Sequence, residues 1–262
     1  VSARSSIQWL LVGTQVALSV MMLAGAGLLV RSLHELSRLD PGFEPARVLS
    51  FRMSGNYAEF GDYARLLKRI DTALEQLRAL PGVEATATSF SAPGVPTGFQ
   101  VGFELVEARG NQTARMVAES RVVSPEYFET LRIPLLEGIL CRRQPLGTTE
   151  LMVNRAFADR YLAGRPSVPG LHLANPNANV NVAPGRVAGV IGDVRERGID
   201  QAPGPTVYFC SSAQGPTPYF LLRTQGDPAA IVTAVRLKLK ELEPLRAIYD
   251  VAPLEDRIGD SF

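Results

Sequence analysis

Cysteine and histidine are scarce in this chain of 262 residues, which contains only Cys141, Cys210, His34 and His172. Two cysteines are too few for a disulfide-rich scaffold, and no pair among these four side chains has zinc-finger spacing. The chain also lacks a G-x-x-x-x-G-K-[ST] loop for nucleoside triphosphates and a G-x-S-x-G turn for a nucleophilic serine. We therefore expect no catalytic residues, no metal ion and no cofactor.

An excess of charge of one sign is also absent. Lys and Arg number 27 and Asp and Glu number 26, which gives a formal net charge of +1. Proteins that bind nucleic acids through phosphate contacts carry a strongly basic surface, so we expect no nucleic-acid partner. Hydrophobic residues make up 46% of the chain, which is typical of a globular core and excludes intrinsic disorder.

Charge is missing altogether from Ile7 to Val30, a run of 24 residues. As a helix this run is roughly 36 Å long, enough to cross a hydrocarbon core of about 30 Å. A signal peptide cleaved near Ala24-Gly25-Ala26 is the alternative, but the apolar run continues beyond that point. A buried globular helix is disfavoured because every face is apolar. The sequence therefore predicts a membrane anchor.

Small residues recur along one face of this predicted membrane helix, at Gly13, Ala17, Ala24 and Gly27. Small side chains let two helices approach closely in lipid, so this face is a candidate for helix packing. The alternative is that small residues are simply tolerated in a membrane helix. Because the chain opens with Val1 and ends as a new helix begins, we expect a longer parent protein.

Beyond the membrane segment, two stretches have the pattern strand, amphipathic helix, strand. The first consists of a strand over Val48–Ser54, a helix capped by Asp62 and a strand over Val83–Ser89. The second consists of a strand over Tyr219–Thr224, a helix after Asp227-Pro228 and a strand over Ala247–Val251. Two such units combine naturally into one split βαβ sheet with both helices on one face.

The residues between these units predict an inserted α+β subdomain, so the fold class is α+β. Its predicted elements are strands at 101–107, 115–123, 151–153, 186–194 and 206–209, and helices starting at Ser124 and spanning Asn154–Leu162. The predicted organisation is a membrane helix and stalk over 1–39, the split unit over 40–91 and 216–256, the insert over 92–215, and the start of a further connection over 257–262.

Two short segments are candidate functional sites. Asp40-Pro41-Gly42 interrupts the helical pattern after the membrane segment, and its proline and glycine predict a defined bend that transmits motion. A passive linker is the alternative, and alanines at both positions are expected to preserve the fold. Asp193, Arg195, Glu196 and Arg197 follow a buried strand, where they form either a solvated turn or an interface.

The two cysteines are a further open question. Cys141 and Cys210 could form a disulfide in an oxidising compartment, or each could be a separately buried thiol, and the sequence alone favours neither.

The run from Leu10 to Ser54 resembles the first membrane helix, stalk and opening strand of MacB/FtsX-type ABC transporter permeases. TVYF, LLRTQGDP and VAPLEDRI close the same pattern. The motifs DPGF and ALPGVE are most similar to the corresponding motifs of the duplicated acidobacterial permeases. Four further blocks resemble the family's periplasmic core domain in the same order: Leu77–Ser89, Val123–Gly138, Val153–Leu162 and Val187–Ile199.

This resemblance implies a permease half in the bacterial inner membrane, with a porter-like, ferredoxin-like split βαβ and an inserted subdomain in the periplasm. The implied partners are a cytoplasmic ABC ATPase, a second permease half and a periplasmic adaptor. The chain departs from the family after Gly138 and after Leu162, which affects the partner surface of the insert. The alternatives are a single-span extracytoplasmic sensor and a secreted binding module.

Overall fold

The computed structural model describes residues 3–36, 39–95, 99–106, 115–145, 148–175, 184–198, 200–211 and 215–259. Val1–Asp40 and Pro41–Phe262 form two compact units. The helices are α1 (Ala3–Leu36), α2 (Tyr63–Arg78), α3 (Tyr127–Thr130), α4 (Arg155–Tyr161), α5 (Val232–Leu242) and α6 (Leu254–Gly259). The strands are β1 (Val48–Met53), β2 (Val83–Ser89), β3 (Gln100–Leu105), β4 (Met116–Val123), β5 (Leu135–Gly138), β6 (Glu150–Asn154), β7 (His172–Ala174), β8 (Gly185–Ile191), β9 (Thr206–Cys210), β10 (Tyr219–Thr224) and β11 (Ile248–Pro253).

The first unit is the helix α1. Within the described residues, Trp9–Arg31 is the single helical segment long and apolar enough to cross a membrane. Its hydroxyl groups bond back to the helix, because Ser19 Oγ donates to Gln15 O at 2.8 Å and Thr14 Oγ1 donates to Leu10 O at 2.9 Å. Such bonds satisfy a polar side chain in a medium that offers no water.

The second unit is built on one sheet of eleven strands. At one end of the sheet the order is β11-β1-β10-β2, so β10 lies between β1 and β2 and runs antiparallel to both. The bounds of β2 and β10 confirm the predicted strands. Asp62 also caps α2 as predicted, since its Oδ1 accepts a hydrogen bond from Arg65 N at 3.0 Å.

Alternating side chains of these four strands point to α2 and α5 on one face of the sheet. Leu49 and Phe51 of β1 and Phe220 of β10 are buried there, with the rings of Phe51 and Phe220 stacked at 5.3 Å. Leu66 and Ile70 of α2 complete this core. The packing follows from the strand period of two and the helix period of 3.6 residues.

The inserted residues form a closed ring of strands. The order continues β4-β3-β7-β8-β6-β9, and β9 pairs back to β4 in parallel. Buried side chains such as Phe103, Val153 and Val207 fill this part of the molecule. The sequence analysis predicts neither β7, which belongs to the ring, nor β5, which pairs with β8, because all four residues of β5 are solvent-exposed and β7 has only three residues.

A third core joins the two parts of the sheet. Val48 and Leu221 from the four-stranded part share a cluster with Tyr208 of the ring strand β9 and with Tyr127 and Phe128 of α3, in the inserted residues. The two parts therefore stabilise each other through common apolar contacts. The predicted domain boundaries at 92 and 215 remain predictions.

Candidate functional site

The domain begins with residues 41–47, which follow the apolar-helix unit in the sequence and which we call the connector. The connector is fixed to the domain, because the Pro41 carbonyl accepts a hydrogen bond from the Arg195 N–H at 2.9 Å. The two candidate sites predicted separately from sequence, Asp40-Pro41-Gly42 and the charged cluster of residues 193–197, are therefore in contact. The transmitting role predicted for them remains a prediction.

Gly42 allows this contact. Its φ is +81°, and a Cβ at this position would lie 1.9 Å from the Asp193 carbonyl oxygen. A non-glycine residue would be strained by the backbone angle and would also overlap Asp193. This packing argues against the expectation that alanines at Pro41 and Gly42 preserve the fold, which stays a prediction to be tested.

Glu44 holds the middle of the connector. Its backbone N–H donates to Leu131 O at 2.8 Å, and its Oε2 accepts from Arg132 Nη1 at 2.6 Å. The hydrogen bond from Arg132, together with the charges of Arg223 and Arg47, lowers the pKa of Glu44 despite the opposing effect of desolvation. The fold therefore favours the ionised carboxylate.

Arg223 binds the connector from inside the domain. Its side chain is 2% exposed, and its guanidinium donates to Glu44 O at 2.6 Å, to Ala46 O at 3.0 Å and to Thr130 O at 2.5 Å. Sequence reasoning did not select this residue. The available signal was an arginine within an otherwise apolar strand, which indicates a buried charge with several partners.

The charged cluster is not a uniformly solvated turn. Asp193 Oδ1 accepts from Asn154 Nδ2 and from Ala156 N, both at 2.8 Å, and so holds the start of α4. Arg195 Nη1 donates to Gln201 O at 2.8 Å. Arg197 is exposed, and its Nε lies 3.4 Å from Glu119 Oε2.

Glu196 is buried, so its carboxylate is not available at a surface in this structure. Its Oε2 lies 3.0 Å from Nε of the fully buried Arg121, and its Oε1 accepts from the Tyr208 hydroxyl at 3.0 Å. Burial and the negative charge of Glu196 raise the pKa of Tyr208 well above its usual value. An interface role for the cluster remains a prediction and concerns the side chains of Arg195 and Arg197.

Arg121 extends this buried pair to the loop after β2. It donates from Nη1 to Ser91 Oγ at 2.7 Å and from Nη2 to Val95 O at 2.7 Å. Gly94 N donates to Glu196 Oε2 at 3.2 Å. The buried ion pair therefore fixes the loop of residues 91–95 to the segment that also contacts the connector.

The chain arrives at and departs from the sheet at neighbouring positions. Leu49 of β1 pairs with Pro253 of β11, so these two strands are adjacent in the sheet. α6 follows immediately, and its Leu254 and Ile258 are buried in the same core as Phe43 of the connector. Residues 260–262, in the predicted further connection, lie outside the described residues.

The structure joins the two cysteines. Cys141 and Cys210 form a disulfide with a Cα–Cα distance of 6.4 Å, and both residues are buried. His172 lies in β7, whereas the side chain of His34 lies outside the described residues. Within the described residues, no group of His, Cys, Asp and Glu has the arrangement of a metal site.

The small residues Gly13, Ala17, Ala24 and Gly27 all lie within α1. Packing of the face formed by Gly13, Ala17, Ala24 and Gly27 against another membrane helix stays a prediction.

No protein-family profile and no curated protein matches this chain, but solved structures do. The periplasmic region of MacB from Actinobacillus actinomycetemcomitans gives a TM-score of 0.52 at 12% identity, covering 86% of this chain and 97% of that one. The chain has the fold of the MacB periplasmic region. The resemblance to MacB/FtsX-type domains seen in the sequence is therefore confirmed as a likeness of fold.

Two further structures are similar to this chain. A domain of a putative permease protein from Porphyromonas gingivalis has a TM-score of 0.49 at 11% identity and covers 80% of this chain and 92% of its own. The extracellular domain of the noncanonic ABC-type transporter YknZ from Gram-positive bacteria has a TM-score of 0.41 at 11% identity, with coverages of 77% and 100%. The MacB-like domain here is a mixed α/β unit that follows one apolar helix.

Proposed function

We propose that this chain is a non-catalytic permease component of an ABC transporter. The observation that carries the proposal is the MacB-like fold directly after a helix of membrane-spanning length. The helix anchors the protein in the bacterial inner membrane, and the domain lies in the periplasm as a porter-like split βαβ with an insert. Energy comes from a separate cytoplasmic ABC ATPase acting on paired permease halves, and a periplasmic adaptor completes the assembly.

We further propose that the domain transmits ATP-driven motion through the connector. A flexible tether would lose such motion, whereas this connector is bonded to Arg195 through Pro41 and to Arg223 through Glu44 and Ala46. Because β1 and β11 are adjacent, a second membrane connection at the C-terminal end would act on the same edge of the sheet. Hydrogen-bonded and packed networks of this kind are elements through which two distant sites can be coupled.

The disulfide supports the periplasmic location. Disulfides persist in the bacterial periplasm and are rare in the cytosol, where thiols are kept reduced. The first experiment therefore maps topology in a Cys141→Ser/Cys210→Ser background. Leu245→Cys, at a position 98% exposed, should react with a membrane-impermeant maleimide in intact spheroplasts. Ser2→Cys, before the span, should react only after permeabilisation.

The second experiment tests the transporter role. The full-length protein is crosslinked in bacterial membranes, purified in detergent and analysed by mass spectrometry for an ABC ATPase. Amide hydrogen exchange is then compared between the nucleotide-free complex and the complex trapped with ATP and vanadate. We expect altered exchange in the connector, including the Glu44 N–H that bonds to Leu131 O, and unchanged exchange in the β2 strand.

The outcomes separate the two parts of the proposal. If a kinase or another signalling module copurifies in place of an ATPase, the protein is a sensor and the transporter role is wrong. If an ATPase copurifies but the connector exchanges identically in both states, the transmitting role alone is wrong. The purified chain without its ATPase should hydrolyse no ATP, because it has no phosphate-binding loop.

A further inference from the structure

The four-stranded part of the sheet leaves part of one face uncovered. Leu49, Phe51 and Met53 of β1 point toward α2 and α5, so the alternating residue Arg52 points to the opposite face. Tyr219 of β10, which pairs with Arg52, lies on that face as well. Here the sheet forms the floor of a groove with a volume of about 580 Å³, a size typical of ligand sites.

Exposed aromatic side chains line this groove, which we call the aromatic groove. Tyr57 is 77% exposed, Phe60 49% and Phe90 47%, and the rings of Tyr57 and Phe60 are 6.1 Å apart. Large apolar side chains gathered in one exposed patch mark interaction sites, because covering them removes apolar area from water. Aromatic residues and arginine are also the side chains enriched at energetically dominant contacts.

The charge of the groove is of one sign. Among the described residues that line it, Arg52 and Arg257 carry the only formal charges. Arg257 Nη1 is paired with Asp250 Oδ1 at 2.8 Å. Arg52 has no carboxylate within salt-bridge distance in the described part of the chain, since its hydrogen bonds from Nε and Nη2 go to Thr217.

Arg52 is also held in place before any ligand arrives. Its guanidinium carbon lies 5.0 Å from the centre of the Tyr219 ring and 5.6 Å from that of Tyr249, within the range of cation–π attraction. The two bonds to Thr217 O and the bond to Thr217 Oγ1 fix one edge of the guanidinium. The Nη1 group makes no hydrogen bond among the described residues, so a carboxylate can bind there with little loss of side-chain freedom.

We propose that the aromatic groove binds an extended peptide segment of a partner protein, in which one carboxylate side chain is flanked by apolar side chains. The carboxylate would bind Arg52, and its apolar neighbours would cover Tyr57, Phe60 and Phe90. A lipid surface is the less suitable occupant, because anionic lipids are recognised by clusters of about four to eight basic residues. The groove has two arginines, one of them already neutralised by Asp250. This binding does not depend on the transporter role of the chain.

The experiment measures binding of three acetylated pentapeptides to the full chain in neutral detergent micelles by isothermal titration calorimetry. The peptides read Ala-Leu-Xaa-Phe-Ala with an amidated C-terminus, and Xaa is Asp, Asn or Lys. We expect the Asp peptide to bind at least about fivefold more tightly than the Asn peptide, and the Lys peptide to bind most weakly. Added salt should reduce the preference, because part of it is electrostatic.

Variants locate the binding. Arg52→Gln should reduce the preference for Asp over Asn to less than about twofold, whereas Arg236→Gln, an exposed arginine on α5, should leave it unchanged. Tyr57→Ser with Phe60→Ser should weaken the Asp and Asn peptides about equally. Leu245→Ser is the matched control for this double variant, because Leu245 is 98% exposed and lies outside the groove lining. It should leave the binding of both peptides unchanged. Circular dichroism melts verify that each variant is folded.

Three results would overturn the proposal. The first is the absence of binding by the Asp peptide at about 1 mM, which corresponds to a free energy weaker than about −4 kcal/mol. The second is equal affinity for the Asp and Asn peptides in the wild-type chain, which needs no variant to observe. The third is binding of anionic phosphatidylglycerol nanodiscs that the Asp peptide does not reduce and that Arg52→Gln abolishes, which would assign the groove to lipid.

Discussion

Pro41 and Arg195 are joined by a backbone hydrogen bond, in which the Arg195 N–H donates to the Pro41 carbonyl at 2.9 Å. This bond fixes the first residue of the domain to a segment that is distant from it along the sequence. Next to it, Gly42 approaches Asp193 so closely that no side chain fits between them. The predictions below test whether these contacts hold the connector on the domain.

Gly42→Ala should destabilise the domain by about 1–3 kcal/mol, because it combines a strained backbone angle with overlap of the Asp193 carbonyl. Gly82→Ala is the matched control, since Gly82 has a φ of +84° but no atom within 4 Å of the added Cβ. The measurement is urea unfolding of the full chain in detergent micelles. Equal losses for the two variants would show that the contact with Asp193 contributes nothing.

Arg223→Met should destabilise the domain by about 2–4 kcal/mol, because it leaves the carbonyls of Glu44, Ala46 and Thr130 without a buried donor. Arg223→Lys retains the charge, but one ammonium group cannot reach all three oxygens, so most of the loss should persist. Proteolysis within the connector should also become faster in both variants. If Arg223→Lys unfolded with the same free energy as the wild type, the several N–H donors of the guanidinium would not be needed.

Reduction of the Cys141–Cys210 disulfide should lower the free energy of unfolding by about 4 kcal/mol, the chain-entropy value for a loop closed by residues 69 positions apart. Thermal unfolding with and without dithiothreitol measures this loss in the wild-type chain. The unfolding temperature of the variant Cys141→Ser/Cys210→Ser should not change with dithiothreitol. It should equal the unfolding temperature of the reduced wild type. A wild-type chain that reacts with maleimide without prior reduction would show that the bond does not form.

Acidification should weaken the connector through Glu44. Its pKa is lowered in the folded protein, so its contribution to stability is complete above the usual value of 4.5 and is lost as the pH falls through the lowered pKa. The wild type should exceed Glu44→Gln in stability by up to about 1 kcal/mol at neutral pH, since the ion pair with Arg132 is partly exposed. The difference should shrink as the pH falls below 4.5 and vanish only below the lowered pKa of Glu44, where the carboxylate is protonated in the folded chain as well. A difference that is constant with pH would exclude an ionic contribution.

Several elements could be predicted from the sequence because their signals are local. The apolar face and the Asp62 cap indicated α2, short runs bounded by Pro, Gly and Asp indicated β2 and β10, and the uncharged run indicated the apolar helix. Each signal lies within about one helical turn or one strand length of the element it defines. These patterns, together with the ordered blocks that resemble MacB-type domains, were sufficient to predict a mixed α/β domain after one apolar helix, whereas its description as a split βαβ stays a prediction.

Only the tertiary structure decided how distant segments meet. The pairing of β9 with β4 closes the ring, and no local pattern encodes a partner so far along the chain. No local pattern reveals that Arg223 donates to carbonyls of the connector and of α3. Nor does a local pattern reveal that Glu196 is buried as the partner of Arg121. A charged residue in a sequence does not reveal whether water or a buried partner compensates its charge, because that depends on the packing around it.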